Sequence, residues 1–140
     1  MGRILAIDYG TKRTGLAVTD PLRIIAGALA TVETKQLEKW LADYFSKNEV
    51  DIIVLGKPTQ MSGAPSETMR FIEPLAGRLR HAYPEKQVVL YDERFTSVLA
   101  HRTMLESGIG KQARRDKALV DRISATIILQ SYMDSVLMQK

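Results

Sequence analysis

Ile4-Leu5-Ala6-Ile7-Asp8-Tyr9-Gly10-Thr11-Lys12-Arg13-Thr14-Gly15-Leu16-Ala17-Val18 sets the architecture of this chain. An apolar run ends on an acid, a basic turn with one glycine follows, and a second apolar, β-rich run comes straight after. The pattern predicts an antiparallel hairpin, with a first strand over residues 3–9, a tight turn at Gly10–Arg13 and a return over Thr14–Thr19. Asp8 closes a run that reads as a strand buried on both faces, where an unpaired carboxylate is costly to desolvate. Such a charge needs a metal ion, a bound phosphate or an arginine beside it. For an isolated Asp-x-Gly, capping of the turn is an equally good explanation. The decision rests on whether other acids converge on Asp8.

Outward from the hairpin, Asp20-Pro21 breaks the pattern and Ile24–Val32 reads as a third strand with a weak spot at Gly27. The period then changes. Glu33 or Thr34 can cap a helix to Ser46, with Leu37, Trp40, Leu41, Tyr44 and Phe45 on one stripe, so Trp40 belongs to the core rather than to a ligand platform. Asp51–Leu55 is a short, continuously apolar run, as in a central parallel strand. It leads into Gly56-Lys57-Pro58 and a polar loop over residues 59–65, where open α/β sheets place their ligands. Ser66 caps a second helix to about Tyr83, with Met69, Ile72, Leu75, Ala76 and Leu79 on its apolar face and Pro74 within it. Gln87–Tyr91 is the fifth strand and runs into Asp92-Glu93-Arg94.

Thr96 or Ser97 starts a third helix to Leu105, stopped by Gly108 and Gly110. Lys111, Arg114, Arg115 and Lys117 form a basic approach to a long last helix, Arg115 to Met138. The order β-β-β-α-β-α-β-α-α predicts one α/β domain over residues 1–140. Its sheet is mixed and five-stranded, a three-strand antiparallel meander plus two parallel strands, with helices on both faces.

Composition narrows the chemistry. The 140 residues are 45% hydrophobic and 26% charged, which is globular. The absence of cysteine removes disulfides and thiolate chemistry, and His81 and His101 lie outside any zinc-ligand spacing. A metal here would be a hard cation on carboxylates. No apolar run approaches the roughly 20 residues of a membrane span, and no signal-peptide stretch opens the chain, so a soluble cytoplasmic protein is expected. A formal charge of +4 suits a polyanionic partner.

Asp121 shares a helical face with Ala125, Ile128 and Tyr132, and small Ser124 and Ala125 would let that helix lie close to the sheet. Strands one and five run parallel in this topology, so Asp8 and Glu93 leave the sheet at the same edge, within reach of such a helix. Three converging carboxylates repel one another, which two hard divalent cations would relieve, and such a pair suits phosphodiester hydrolysis. Lys12, Arg13, Lys57, Arg94 and the cations of residues 111–117 would then hold a nucleic-acid backbone. The competing reading is an Asp121 buried in the core and paired with Arg94.

With these pieces in place the chain resembles the YqgF/RuvX family, bacterial RNase H-like proteins described as Holliday junction resolvases or pre-16S rRNA nucleases. The marks are AIDYGTKRTGLAV, GKPTQMSGAPS, YDERFTS and KALVDRISATIILQSY, in that order and spanning essentially the whole chain. The resemblance implies an RNase H-like fold and dependence on a divalent metal, Mg²⁺ or Mn²⁺. It implies a catalytic, metal-binding set at Asp8, Glu93 and Asp121, with Asp92 in reserve on the opposite face of its strand. It also implies structured RNA, notably precursor rRNA, or branched DNA as the partner, met by a monomer or weak homodimer.

Two positions depart from the pattern. Related RuvC resolvases resemble one another in a glutamate at the end of the fourth strand, where this chain has Gly56, and Lys57 replaces a common leucine. Two other classes compete. Asp8-Tyr9-Gly10-Thr11 also looks like the first phosphate loop of actin-like ATPases and sugar kinases, although those enclose a nucleotide between two such domains. A non-catalytic RNA-binding factor would bind RNA without cutting it.

Overall fold

The computed structural model describes residues 2–57, 69–92 and 117–138. Five strands form one mixed sheet: β1 (Arg3–Asp8), β2 (Arg13–Thr19), β3 (Ala26–Glu33), β4 (Val50–Lys57) and β5 (Gln87–Asp92). Their spatial order is β3-β2-β1-β4-β5, with β2 antiparallel to both its neighbours and β1, β4 and β5 mutually parallel. The meander and the two parallel strands are therefore arranged as the hydropathy pattern predicts. Three helices are described: α1 (Leu37–Lys47), α2 (Met69–Ala82) and α3 (Lys117–Met138).

Strand alternation divides the core in two. Leu5 and Ile7 of β1 join Leu16, Ile53 and Leu55 under α1 and α2, which contribute Leu37, Leu41, Ile72, Leu75 and Leu79. Ile4 and Ala6 point the other way, into a cluster with Ala17, Val54 and Ala125, Ile128, Leu129 and Met133 of α3. Each helix is held by an apolar stripe at three- and four-residue spacing, the usual way a sheet face is covered. On the α3 side the contact is made by small residues, Ala6 and Ala17 against Ala125, all fully buried, so the helix lies close on the strands. Trp40 is partly buried on the α1 side and stacks on Tyr44 at 5.2 Å, a core role.

Several element ends differ from the sequence reading by a single residue, and three boundaries differ by more. β3 begins at Ala26, and Ile24 and Ile25 stand outside it, exposed. The Asp20 carboxylate accepts the N–H groups of Leu22 (3.2 Å), Ile24 (2.7 Å) and Ile25 (2.8 Å), which fixes a turn where two β-branched residues suggest a strand. The α1 helix begins at Leu37 after a 3₁₀ turn over Thr34–Gln36, and neither Glu33 nor Thr34 caps it by its side chain, because Thr34 is engaged by the β1–β2 turn. β4 continues through Gly56 and Lys57, which pair with Tyr91 and Asp92, instead of ending at Leu55. Pro74 lies within α2 without interrupting it. The expected Ser66 cap, the loop of residues 59–65 and the helix from Thr96 or Ser97 lie outside the described residues. Among the described residues no helix is long and apolar enough to cross a membrane.

Candidate active site at the carboxyl edge of the sheet

Asp8 is the last residue of β1, at the carboxyl edge shared by the three parallel strands. Being even-numbered like Ile4 and Ala6, it belongs to the α3 side of the sheet. It is half-buried and opposite Gly15 of β2. One step beyond the Ile7–Leu55 pair, it comes level with Gly56 of β4, which in turn pairs with Tyr91 of β5. The row across this face thus reads Gly15, Asp8, Gly56, Tyr91. A glycine on each side of the acid leaves those two strand positions without side chains, and both glycines are themselves buried.

Gly56, where the resemblance to RuvC resolvases implies a glutamate, stands next to Asp8 across the β1–β4 pairing. The pairing of Gly15 and Gly56 around Asp8 carries no signal in the sequence, because that relationship exists only once two strand registers are known.

On the far side of Gly56, the Tyr91 hydroxyl is 2.6 Å from Ser131 Oγ and its ring meets Tyr132 edge-on at 6.0 Å. Tyr91, in the sequence simply the end of an apolar strand, is a link between β5 and α3. Val88 and Leu90 of β5 face the α1/α2 core and Tyr91 faces α3, as alternation requires.

Asp121 lies in the first turns of α3, four residues before Ala125 and seven before Ile128, both buried against the sheet on the side of Asp8. Glu93 lies outside the described residues, directly after β5. Asp92 ends β5 opposite Lys57 of β4. Among the described residues no three acidic or histidine groups assemble as a metal site.

The predicted backbone-binding cations divide similarly. Lys12 is exposed and Arg13 half-buried at the β1–β2 turn, beside Asp8 in the chain. Lys57 ends β4 at the same edge, and Lys117 opens α3. Arg94, Lys111, Arg114 and Arg115 lie outside the described residues.

The β1–β2 turn is held from outside. The Thr34 hydroxyl donates to the Gly10 carbonyl at 2.5 Å, its backbone N–H donates to the Lys12 carbonyl at 3.0 Å, and Thr14 Oγ1 is 2.9 Å from Thr34 Oγ1. Gly10 is required there because a Cβ would collide with the Arg13 carbonyl oxygen.

Residues 2–135 match the family model described as "RuvX: Holliday junction resolvase". A protein of Porphyromonas gingivalis named "Putative pre-16S rRNA nuclease" is 59% identical over 135 residues, 96% of this chain and 98% of its own. A protein of the same name from Bacteroides thetaiotaomicron is 55% identical, with coverage of 96% and 98%. Among solved structures, the fowlpox virus Holliday junction resolvase superposes with a TM-score of 0.60 at 16% identity, covering 96% of this chain and 99% of that one. RuvC of T. thermophilus with a Holliday junction substrate gives 0.57 at 15%, covering 95% and 96%. These two likenesses concern the fold, which is RNase H-like.

Proposed function

The chain belongs to the RuvX family, and on that premise we propose that it is a metal-dependent endonuclease acting on structured RNA, in maturation of the 5′ end of pre-16S rRNA. The observation that carries this reading is the setting of Asp8. A carboxylate ends a central strand with a glycine on each side, beneath the same sheet face on which α3 is packed. An acid that merely capped a turn would not need a position free of side chains on both strands beside it.

Asp8, Glu93 and Asp121 are the residues that would hold the metal, Mg²⁺ or Mn²⁺. Glu93 follows β5 directly in the chain, two positions after Tyr91, which lies on the α3 side with Asp8. The stripe of Ala125 and Ile128 carries back to Asp121. An all-oxygen donor set in a chain without cysteine suits a hard cation. When bound, the metal activates a water and steadies the leaving oxygen of the phosphodiester. This chain's own residues do the rest. The carboxylates fix where the ion and the scissile phosphate meet. Lys12, Arg13, Lys57, Arg94 and the basic stretch 111–117 hold the flanking backbone, with Lys111, Arg114, Arg115 and Lys117 as its cations.

The choice of RNA is supported by the name shared by relatives identical at more than half their positions. The family model's own description favours a second substrate, a four-way DNA junction, which also requires two copies of the chain to cut opposed strands. Purified protein with Mn²⁺, offered a structured precursor RNA and a four-way DNA junction beside an Asp8→Asn control, decides between them. Cleavage of RNA that is lost in Asp8→Asn supports the reading. Symmetric nicking of the junction alone transfers the assignment to DNA, and RNA binding without cleavage of either makes the protein a non-catalytic RNA-binding factor.

A further inference from the structure

The β1–β2 turn shares an open depression with the segment that follows β3, lined by Thr11, Lys12, Arg13, Glu33 and Lys35. Among the described residues that line it are three cations and one carboxylate. Arg13 and Glu33 are opposite each other in the β2–β3 register, and Lys35 Nζ is 3.6 Å from Glu33 Oε2. Both partners of that second pair are largely exposed, at 77% and 66%, so the pair contributes little and a stronger anion can displace the carboxylate. Thr34 lies between Glu33 and Lys35 in the chain and clasps the turn from the other wall, through the Gly10 and Lys12 carbonyls and Thr14. The two walls therefore form one body, so the backbone that carries these cations needs no further ordering on binding.

We infer that this depression is a subsite for a backbone phosphate flanking the one that is cut. In it Lys35 joins Lys12 and Arg13 as a phosphate ligand, Glu33 is the resident counter-charge that the phosphate displaces, and Thr34 is a positioning residue. The inference rests on the nuclease reading and extends it by giving the substrate a direction. Tyr91 and β5 lie on one side of Asp8 in the strand order, and the depression lies on the other, towards β3. The nucleic-acid strand thus crosses the carboxyl edge from β5 to β3, with the subsite holding the phosphate on the β3 side. Lys35 carries no signal of its own in the sequence, since it reads as an exposed residue in a helix entrance.

The test is equilibrium binding of a 5′-labelled RNA hairpin with single-stranded flanks to the full chain in EDTA, measured across a KCl series. Lys35→Gln is expected to weaken binding three- to tenfold at low salt and to reduce the slope of log Kd against log salt by about 1. Glu33→Gln is expected to tighten binding two- to fivefold, because the phosphate no longer displaces a carboxylate. Lys47→Gln serves as the control, since Lys47 ends α1 in an exposed i,i+4 pair with Asp43, away from the depression. A Lys35→Gln curve that coincides with that control overturns the subsite while leaving cleavage by the chain untouched. A Glu33→Gln variant that binds no better than wild type also overturns it. Wild-type protein that binds no RNA at any salt overturns both the subsite and the choice of RNA as the substrate.

Discussion

The Tyr91 hydroxyl lies 2.6 Å from Ser131 Oγ, which fastens the end of β5 to the last helix. The bond joins the strand that runs into Glu93 to the helix that carries Asp121. It is partly buried and sits beside the Tyr91–Tyr132 ring contact, so its loss should be felt both in stability and at the site. Tyr91→Phe and Ser131→Ala are each expected to cost about 1 kcal/mol, and the double variant little more than either, because the two share one hydrogen bond. Urea unfolding of the four proteins measures this coupling. The cleavage rate of Tyr91→Phe is expected to fall further than RNA binding does.

The paired glycines around Asp8 give a second expectation. Gly56 is buried and level with Asp8 on the α3 side, between it and Tyr91. Gly56→Ala adds a methyl group at this buried position beside Asp8 and is expected to lower single-turnover cleavage at least tenfold, about 1.4 kcal/mol in the barrier. The concentration of Mn²⁺ needed for half-maximal rate should rise with it. RNA affinity in EDTA should remain within twofold of wild type, which separates crowding of the metal position from general damage.

At the opposite edge of the sheet, the β2–β3 turn gives a pH-dependent test. N–H groups of Ile25, then Ile24 and Leu22, hydrogen-bond the Asp20 carboxylate and hold its pKa below the usual range, outweighing a desolvation effect in the other direction. The depressed pKa means that Asp20 supports the fold above the ordinary Asp value of about 4. That support is lost as the pH falls through the lower folded-state value. Asp20→Asn is expected to be less stable than wild type at pH 7 and to converge on it as acid is added. Thermal unfolding between pH 7 and pH 2.5 follows the convergence, and a constant difference across that range would contradict it.

Much of this architecture was legible in the sequence, because the signals are continuous. The apolar runs ending at Asp8, Leu55 and Tyr91 are long enough to be strands whatever surrounds them, and the period change after Val32 marks the first crossover. Ile24-Ile25 misled for a tertiary reason. Their N–H groups are taken by Asp20, and Arg23 turns the chain at φ 58° while its Nε reaches the Gly2 carbonyl at 2.9 Å and its Nη2 the Asp51 carboxylate at 3.0 Å. Thr34 looked like a cap because a threonine before a helical stripe usually is one. Its hydroxyl is instead claimed by Gly10 and Thr14, residues 24 and 20 positions away. At the site, the acids announce themselves by type and place, whereas the glycines that make room for them need the strand register to be seen as a pair.

The central claim is that Asp121 joins Asp8 and Glu93 at one metal-binding point. Asp8→Asn, Glu93→Gln and Asp121→Asn should each abolish cleavage, and none should lower metal-free stability, because removing one of several clustered like charges relieves repulsion. The most direct measurement is the single-turnover cleavage rate of Asp121→Asn on structured RNA in saturating Mn²⁺, with its melting temperature in EDTA taken alongside. The expected result is a rate at least 10²-fold below wild type, about 2.7 kcal/mol, with RNA binding retained and an unchanged or higher melting temperature. Cleavage at the wild-type rate would contradict the account and make Asp121 a residue of the core rather than of the site.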